Sequence, residues 1–470
     1  MSGGNNNSGP AASGILEALR RRRAVFFDAW RSRLWPVPLF GVVVAVLAGV
    51  AIPELDGSLD QHMPTMLSAY LFGGGADAAR EVLGAVATSL ITVTSLTFSL
   101  TVVTLQLASS QYTPRLLRTF ASDRFVQRTL ALFLATFVYA LTVLRTVRND
   151  DDAGAEFVPQ IAVSVAYLLA MASVLHLVLF LGHLVRQIRI ETMLEHVSSE
   201  IGDTACRMLE PFDDDGARWG VDPLPPPPSH ASTISARSSG FLVEIDEQAI
   251  FSAAVDADVM IWIDRPVGSG IQAGVPVAFC WPAGQTGAVL DEERLARVRK
   301  QVAGALNTGV ERTATQDLGY GLRQLTDVVV RALSPGINDP TTAIHGLNAC
   351  SSSLCELAGY RLGRHTMRDE NDVLRVVVAR PDLPDLLDLV CAQPLLYGAD
   401  DPAVLARLFS LLRELAWVVV LPAHRQAIAD RLRRLEMATA NSDFDEVEHH
   451  RLEQSAHHVR KALERRWAAD

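Results

Sequence analysis

The chain has 470 residues, of which 49% are hydrophobic, and its mean hydropathy is +0.19. These values exclude both an ordinary soluble enzyme and a protein that lies wholly in a membrane, and they favour a chain that combines the two environments. The formal net charge of −11 argues against nucleic acid as a partner, because proteins that bind nucleic acid usually present a basic face.

The five cysteines are an odd number, and none lies in the first 200 residues. A disulfide framework is therefore not expected, and the pattern favours reduced thiols in a cytosolic part of the protein. The residues are Cys206, Cys280, Cys350, Cys355 and Cys391.

Long uncharged runs follow an N-terminal segment, residues 1–14, that is rich in Gly, Asn and Ser and is predicted to be disordered. A helix needs about 20 apolar residues to cross a bilayer. Residues 15–190 are therefore predicted to form a membrane domain with four transmembrane helices, so that the lipid bilayer is the first expected partner. The predicted spans are about 34–53, 82–108, 129–147 and 158–185.

Basic residues near the ends of these spans are unevenly distributed. Twelve arginines fall on one side of the predicted bilayer and three on the other. Because cytoplasmic loops carry the excess of Lys and Arg, the N- and C-termini are predicted to lie in the cytosol.

The second predicted span carries an unusual number of hydroxyl side chains. On a helical wheel they form two stripes on opposite sides, and one interpretation is helix packing alone, since hydroxyl side chains let helices approach and hydrogen-bond. The other is packing on one side and a water-filled path on the other, inside a homo-oligomer. The polar path would include His176 of the fourth span, for which a hydrogen bond to Thr136, Tyr139 or a second-span hydroxyl is the structural alternative. The path residues on the second span are Thr88, Thr92, Ser95, Ser99 and Gln106, and the opposite stripe is Thr94, Thr97, Thr101 and Thr104.

The rest of the chain is predicted to be a cytosolic α+β region. Residues 191–239 form a helix and a Pro/Ser-rich linker. Residues 240–285 alternate short β-rich runs with Gly and Pro turns, which predicts a small β-sandwich-like module with the turn pattern of lipoyl-like domains. This module has no lysine, so covalent lipoylation is excluded. Residues 286–470 are predicted to be mainly helical.

Three local patterns refine this helical part. Apolar residues spaced by three or four predict a continuous helix over Val302–Leu333, which includes Val310 and Ala314. A short strand is predicted over Leu374–Ala379. Further helices are predicted to begin near Asp385, Pro402 and Asp443.

The segment LSPGINDPTTAIHG, Leu333–Gly346, has a structural and a functional interpretation. Asp339 is a suitable N-cap and the proline after it suits the first helical position, so local geometry explains most of the segment. Alternatively, free N–H groups at the helix start, with Arg331 and Asn338 nearby, would hold an anionic ligand. The Asp339 carboxylate counts against that site, and the structural interpretation is favoured.

No other pattern predicts catalysis, a cofactor or a metal. His449, Glu453 and His457 share one helical face, but no fourth ligand is evident, so a solvated face is favoured over a zinc site. The sequence has no GxSxG, P-loop, HExxH or CxxC motif, and an enzyme is therefore not the favoured class.

Two stretches are more distinctive than any spacing. They are LQLASSQYTPRLLRTFASDRFVQRTL, Leu105–Leu130, and GVERTATQDLGYGLRQLTDVVVRALSPGINDPTTA, Gly309–Ala343. Together they resemble a bacterial family described only as a predicted membrane protein, domain of unknown function number twenty-two fifty-four. The resemblance implies four spans and a cytosolic domain, and it implies no activity.

Three functional hypotheses remain. The first is an oligomeric channel or transporter for a small ion with a cytosolic regulatory domain, the second is a membrane-anchored sensor or enzyme with a site for a small anionic ligand at Leu333–Gly346, and the third is a scaffold for other proteins. The two-sided polar span favours the first.

Overall fold

The computed structural model describes residues 35–59, 71–111, 123–148, 157–187, 189–212, 224, 226–283 and 291–467. The chain divides into two compact units, Met1–Arg189 and Ile190–Asp470. They are called here the membrane unit and the second unit.

The described residues of the membrane unit contain four long apolar helices. They are α1 (Pro36–Leu59), α2 (Ala76–Gln111), α3 (Arg124–Leu144) and α4 (Gln160–Gln187). By length and composition, each can cross a membrane. The predicted architecture of four spanning helices followed by an α+β region is confirmed. The hydropathic segments are Pro36–Asp56, Ala76–Gln106, Arg124–Leu144 and Gln160–Arg186.

Helix α3 is the most buried of the four and packs against the other three. Small residues let the backbones approach closely, as in other helix pairs within membranes. At Gly49 of α1, an added Cβ would lie 2.8 Å from Cβ of Thr142 on α3, so any larger residue would push the helices apart. The core of the unit is built from alanines and a few larger side chains, including Leu83 and Tyr139.

A buried carboxylate ties α1 to the start of α4. Asp56 Oδ2 accepts hydrogen bonds from the N–H groups of Ile161 (2.8 Å) and Ala162 (3.4 Å), which have no acceptor within their own helix. The Tyr139 hydroxyl of α3 donates to the carbonyl of Ala162 at 3.1 Å. Polar groups at this end of α4 are thereby satisfied by two other helices.

The second unit begins with α5 (Ile190–Met208) and continues with a small α/β region. One mixed sheet has the strand order β1-β5-β3-β8-β7, with β3 and β8 parallel and the other pairs antiparallel. A second, antiparallel sheet has the order β4-β2-β6. The strands are β1 (Ser232–Ser235), β2 (Gly240–Ile245), β3 (Val259–Ile263), β4 (Gly270–Ile271), β5 (Pro276–Pro282), β6 (Leu306–Gly309), β7 (His365–Arg368) and β8 (Leu374–Val378).

Two helices complete the α/β region, α6 (Glu247–Asp256) and α7 (Glu292–Ala305). Their apolar faces share one core with the strands, in which Ile250, Ile261 and Val298 are fully buried. Strand β8 is the strand that the sequence predicts over Leu374–Ala379. It follows β3 by more than 100 residues and yet pairs with it directly.

Six helices form the rest of the second unit, and most start where the sequence supplies an N-cap aspartate. In α9, α10, α11 and α13, an Asp side chain accepts a hydrogen bond from a backbone N–H of the first turn. The first turns of α9, α10, α11 and α12 contain a proline, which has no backbone N–H and therefore leaves no donor unsatisfied at the helix start. The helices are α8 (Leu318–Ala332), α9 (Pro340–Leu357), α10 (Leu383–Gly398), α11 (Pro402–Val418), α12 (Pro422–Ala440) and α13 (Glu446–Leu463).

The continuous helix predicted over Val302–Leu333 is wrong. Helix α7 ends at Ala305, β6 pairs with β2, and α8 starts only at Leu318. Val310, which the pattern placed on the buried face, is 92% exposed. The cause is a long-range contact. The Gln316 side chain accepts a hydrogen bond from the N–H of Ile245 (2.8 Å) and donates one to the Ile245 carbonyl (3.3 Å), and these bonds hold the segment as a loop on the sheet.

Candidate functional site

Helix α2 has one continuous buried stripe. Every buried residue of α2 whose side chain is described belongs to it, and successive members are three or four residues apart, as in a left-handed helix bundle. Its first half is apolar and its second half consists of threonines, of which Thr97 is fully buried. The stripe is Ala76, Ala79, Leu83, Ala87, Leu90, Thr94, Thr97, Thr101 and Thr104.

The buried threonines hydrogen-bond within their own helix. Each hydroxyl donates to the carbonyl four residues earlier, from Thr94 to Leu90 (2.6 Å), Thr97 to Val93 (2.8 Å), Thr101 to Thr97 (2.8 Å) and Thr104 to Leu100 (2.9 Å). The packing interpretation expected these hydroxyls to hydrogen-bond across a helix contact, whereas the observed hydrogen bonds lie within α2. Because these hydroxyls are satisfied within α2, the small threonine side chains contribute to packing by letting neighbouring helices approach closely.

The opposite stripe of α2 is exposed along its length. Thr88, Thr92, Ser95, Ser99 and Gln106, the path residues proposed from the sequence, are all exposed. The Thr92 hydroxyl donates to the carbonyl of Thr88 at 2.9 Å. Leu96 and Phe98, which lie between the stripes, are each 56% exposed and suit lipid. The helix therefore presents an outward polar face bordered by apolar side chains, which is unusual for a surface in contact with hydrocarbon.

His176 lies in a different environment from that polar face. It sits partly buried on α4, where its ring stacks on Phe125 of α3 with centroids 4.9 Å apart and planes at 13°. Its Nε2 is buried, and the structure gives this atom no hydrogen-bond partner among the described residues. Among the described residues, this atom makes none of the hydrogen bonds to Thr136, Tyr139 or an α2 hydroxyl that the structural alternative proposes, and the ring stacks on Phe125.

The neighbouring histidine, His183, is held by an ion pair or hydrogen bond to Asp123. Its Nε2 lies 2.6 Å from Oδ2 of Asp123. The other carboxylate oxygen accepts the N–H of Phe125 at 2.7 Å and caps α3. Because Phe125 also lies 4.5 Å from the His183 ring, one side chain separates the two histidines of α4.

In the second unit, the loop with Arg331, Asn338 and Asp339 is arranged around its helix cap. Asp339 Oδ1 accepts the N–H of Thr342 at 3.0 Å, and these hydrogen bonds hold the pKa of the Asp339 carboxyl below its usual value. Asn338 adopts a φ of 49°, a left-handed conformation that asparagine tolerates. Arg331 is in the last turn of α8, and its carbonyl accepts the Ser334 hydroxyl at 2.6 Å. The structure thus places the three residues together and gives Asp339 a structural role.

Two ionic clusters in the second unit escaped sequence analysis because their members are distant or irregularly spaced. Arg312 donates two hydrogen bonds to the buried Asp317, whose pKa is raised because burial outweighs the arginine charge. Arg380 donates to Glu247 at 2.7 Å, and Glu247 also lies 2.8 Å from Nδ1 of His365. Arg380 directly follows the strand predicted over Leu374–Ala379, whereas Arg312 and Asp317 lie inside the continuous helix predicted over Val302–Leu333, so neither pairing left a signal in the sequence.

The cysteines and the candidate metal ligands show no clustering that would bind a metal. All five cysteines are free thiols. Within the described part of the chain, no group of three or more His, Cys, Asp or Glu side chains is placed to hold a metal ion.

Comparison with known proteins identifies the family. A family model described as "Predicted membrane protein (DUF2254)" matches residues 31–414. The chain belongs to this family. Uncharacterised proteins of Mycobacterium tuberculosis (34% identical over 450 residues) and Mycobacterium bovis (33% over 448 residues) are similar to it, with 93% of this chain and 83% of each relative covered. No solved structure matches the chain. This member of the family is therefore a membrane protein, and its site must be argued from its own geometry.

Proposed function

We propose that this protein assembles into a homo-oligomer in the bacterial inner membrane and that the exposed polar stripe of α2 lines a water-filled path for small ions. The observation that supports the proposal is the division of hydroxyls on α2. One stripe is covered by other described residues of the chain, whereas Thr88, Thr92, Ser95, Ser99 and Gln106 are exposed and have no cover among them.

Lipid is a poor cover for that stripe. A serine or threonine hydroxyl can donate a hydrogen bond to a carbonyl of the preceding turn, as the Thr92 hydroxyl does. The Gln106 side-chain amide has two N–H donors and one carbonyl acceptor, and bonding to the preceding turn does not satisfy all of them. A neighbouring copy of the same helix, or water along a shared axis, would satisfy them. The absence of Asp, Glu, Lys and Arg from the stripe favours a path with weak ion selectivity.

Orientation is part of the proposal. The excess of arginine at the ends of the helices supports a cytosolic location of both termini and of the second unit. Impermeant maleimide should label a cysteine placed at Gly57 in intact cells and should leave one at Arg118 unlabelled. The reverse pattern would place the second unit outside the cytosol.

Cysteine accessibility tests the path directly. In a Cys206→Ser background, which removes the exposed native thiol, Ser95→Cys and Ser99→Cys in proteoliposomes should react with a small hydrophilic thiosulfonate. Leu96→Cys is the matched control, because Leu96 lies on the same helix turn and is exposed on the apolar flank. Equal, slow labelling at all three positions would show that the stripe is not wetted.

Ion flux gives a second readout that does not depend on labelling. Proteoliposomes should release a trapped salt gradient faster than empty liposomes, and Ser99→Leu should slow the release without loss of the folded oligomer. Wild-type flux no greater than that of empty liposomes, together with slow labelling, would leave the hydroxyls with a packing role alone.

A further inference from the structure

A second exposed surface lies at one end of the helical part of the second unit. It is formed where α11 ends and where the chain leaves α13. We call it the tryptophan patch and define it by Trp417, Val418, Val420 and Trp467, whose exposed fractions are 40%, 38%, 51% and 51%. Apolar side chains that lie together in this way are characteristic of a surface that binds a partner.

The patch is held in place by specific contacts. The two tryptophan rings meet edge to face with centroids 5.5 Å apart, and the Arg413 guanidinium lies 4.1 Å above the Trp467 ring. Arg465 donates to the carbonyls of Trp417 (2.7 Å) and Val419 (2.9 Å), which joins the C-terminal segment to the end of α11. Two large aromatic side chains are thus fixed in position while a large part of each remains in water.

The surroundings of the patch are basic although the whole chain is acidic. Residues 460–467 contain four basic side chains and one acidic one, against a net charge of −11 for the protein. Arg465 and Arg466 are both exposed. The chemistry of the patch is therefore an apolar, aromatic centre with a cationic border.

We propose that the tryptophan patch docks on the surface of a bilayer that contains anionic phospholipid. Tryptophan is the side chain best suited to the headgroup layer, because its ring is apolar and its N–H can still find a partner there. Arginine near such a surface is attracted by the anionic headgroups.

The covalent connection of the second unit to the membrane favours lipid over other occupants. The second unit starts at Ile190, three residues after the last residue of α4, so a bilayer is always at a high local concentration. A patch of modest size can therefore bind lipid without the area that a separate protein partner would require. This docking is independent of whether α2 conducts ions.

Hydrogen–deuterium exchange of the full-length protein in nanodiscs tests the proposal. Peptides that cover residues 413–425 and 463–467 should exchange more slowly in discs of phosphatidylcholine with one quarter phosphatidylglycerol than in discs of phosphatidylcholine alone. The protection should fall at high salt, because screening weakens the attraction of exposed charges.

Two variants and two matched controls make the test specific. Arg466→Gln should reduce the protection on the order of fivefold, the effect expected for one basic residue near an anionic surface. Arg433→Gln is its control, since both arginines are exposed and pair with a nearby acid, but Arg433 lies in the middle of α12. Trp467→Ala should also reduce the protection, and Leu396→Ala, which removes another exposed apolar side chain, should not.

Protection that is equal in both kinds of disc would overturn the assignment to an anionic lipid surface. An effect of Arg433→Gln as large as that of Arg466→Gln would overturn the assignment of the anionic contact to the tryptophan patch. Absence of protection in every disc would show that the patch is not covered at all.

Discussion

The buried threonines of α2 in the membrane unit are satisfied within their own helix, whereas a largely buried ion pair of the second unit joins distant segments. The hydroxyls of Thr94, Thr97, Thr101 and Thr104 donate to a carbonyl four residues earlier. In the second unit, by contrast, the ion pair between Arg380 and Glu247 joins residues 133 positions apart. A hydrogen bond within one helix does not stabilise a tertiary contact. A long-range ion pair does, because it is broken when its two segments separate.

The largest expected effect is the loss of a long-range partner. Arg380→Met should destabilise the α/β region by about 3 kcal/mol, because removal of one member of a largely buried ion pair leaves the Glu247 carboxylate with His365 as its remaining partner among the described residues. Only 12% of the Arg380 side chain and 21% of that of Glu247 is exposed. Amide exchange of β3 and β8 measures the change, since it reports the opening free energy of the sheet.

Arg433→Met serves as the control for this prediction, because Arg433 pairs with Asp430 on an exposed helix surface. It should change the exchange of the sheet very little. An equal effect of the two substitutions would remove the distinction between local and long-range pairs.

The same cluster predicts a pH dependence. Burial raises the pKa of the Glu247 carboxyl, but the hydrogen bonds from His365 and Arg380 and their charges outweigh burial and bring it below its ordinary value of 4.5. The stabilisation is therefore fully present above pH 4.5 and is lost as the pH falls through the lower pKa of the folded state. The protection factors of β3 and β8, in which the intrinsic pH dependence of amide exchange is divided out, should fall below pH 4.5 in the wild type, and Glu247→Gln should weaken that fall.

The next effect compares the two faces of α2. Thr97→Phe should destabilise the membrane unit by about 1–3 kcal/mol, because a fully buried position has no room for a ring. Ser99→Phe, two residues away on the exposed face, should leave the melting temperature of the detergent-solubilised chain unchanged. Its effect should instead appear in the oligomeric state by size-exclusion chromatography with light scattering. A lowered melting temperature for both variants would mean that the chain itself covers both faces.

A smaller effect is expected at the cap of α9. Asp339→Ala should destabilise the helical part by about 0.5–2 kcal/mol, since the N–H of Thr342 loses its acceptor. Asn338→Gly is the control, because glycine adopts the observed positive φ without strain. If Asp339→Ala leaves stability unchanged and abolishes stabilisation by an added anion, the loop is a ligand site.

The smallest effect is expected for Thr101→Val. The shape of the side chain is kept, and the carbonyl of Thr97 that accepts the hydroxyl keeps its place in the helix. The loss of unfolding free energy, measured by thermal melting, should stay below about 0.5 kcal/mol, because the substitution removes the hydroxyl donor and leaves no unsatisfied donor behind. A cost above about 1 kcal/mol would show that the hydroxyl has a second, interhelical role.

Features that depend on local sequence were predictable. The four spanning helices follow from uncharged runs of sufficient length, and the starts of α9 and α11 follow from Asp-Pro pairs at positions 339–340 and 401–402. The two hydroxyl stripes of α2 follow from helical periodicity alone. Each of these inferences uses neighbours within about one or two turns of the chain.

Features that depend on distant contacts could not be predicted from the sequence. The periodicity over Val302–Leu333 resembled one helix, but pairing of β6 with β2 and the anchoring of Gln316 to Ile245 replaced its first half by a strand and a loop. The stacking of His176 on Phe125 brings two helices together and leaves no trace in the spacing of either.

The sequence by itself determined that the chain crosses a membrane, where its four spanning helices lie and that α2 is polar on two sides, because hydropathy and helical periodicity are properties of consecutive residues. Only the tertiary structure decided which polar side of α2 is covered and that Trp417 and Trp467 meet in one exposed patch. Those outcomes depend on which surfaces approach in space, and residues 50 positions apart carry no local signal of that approach.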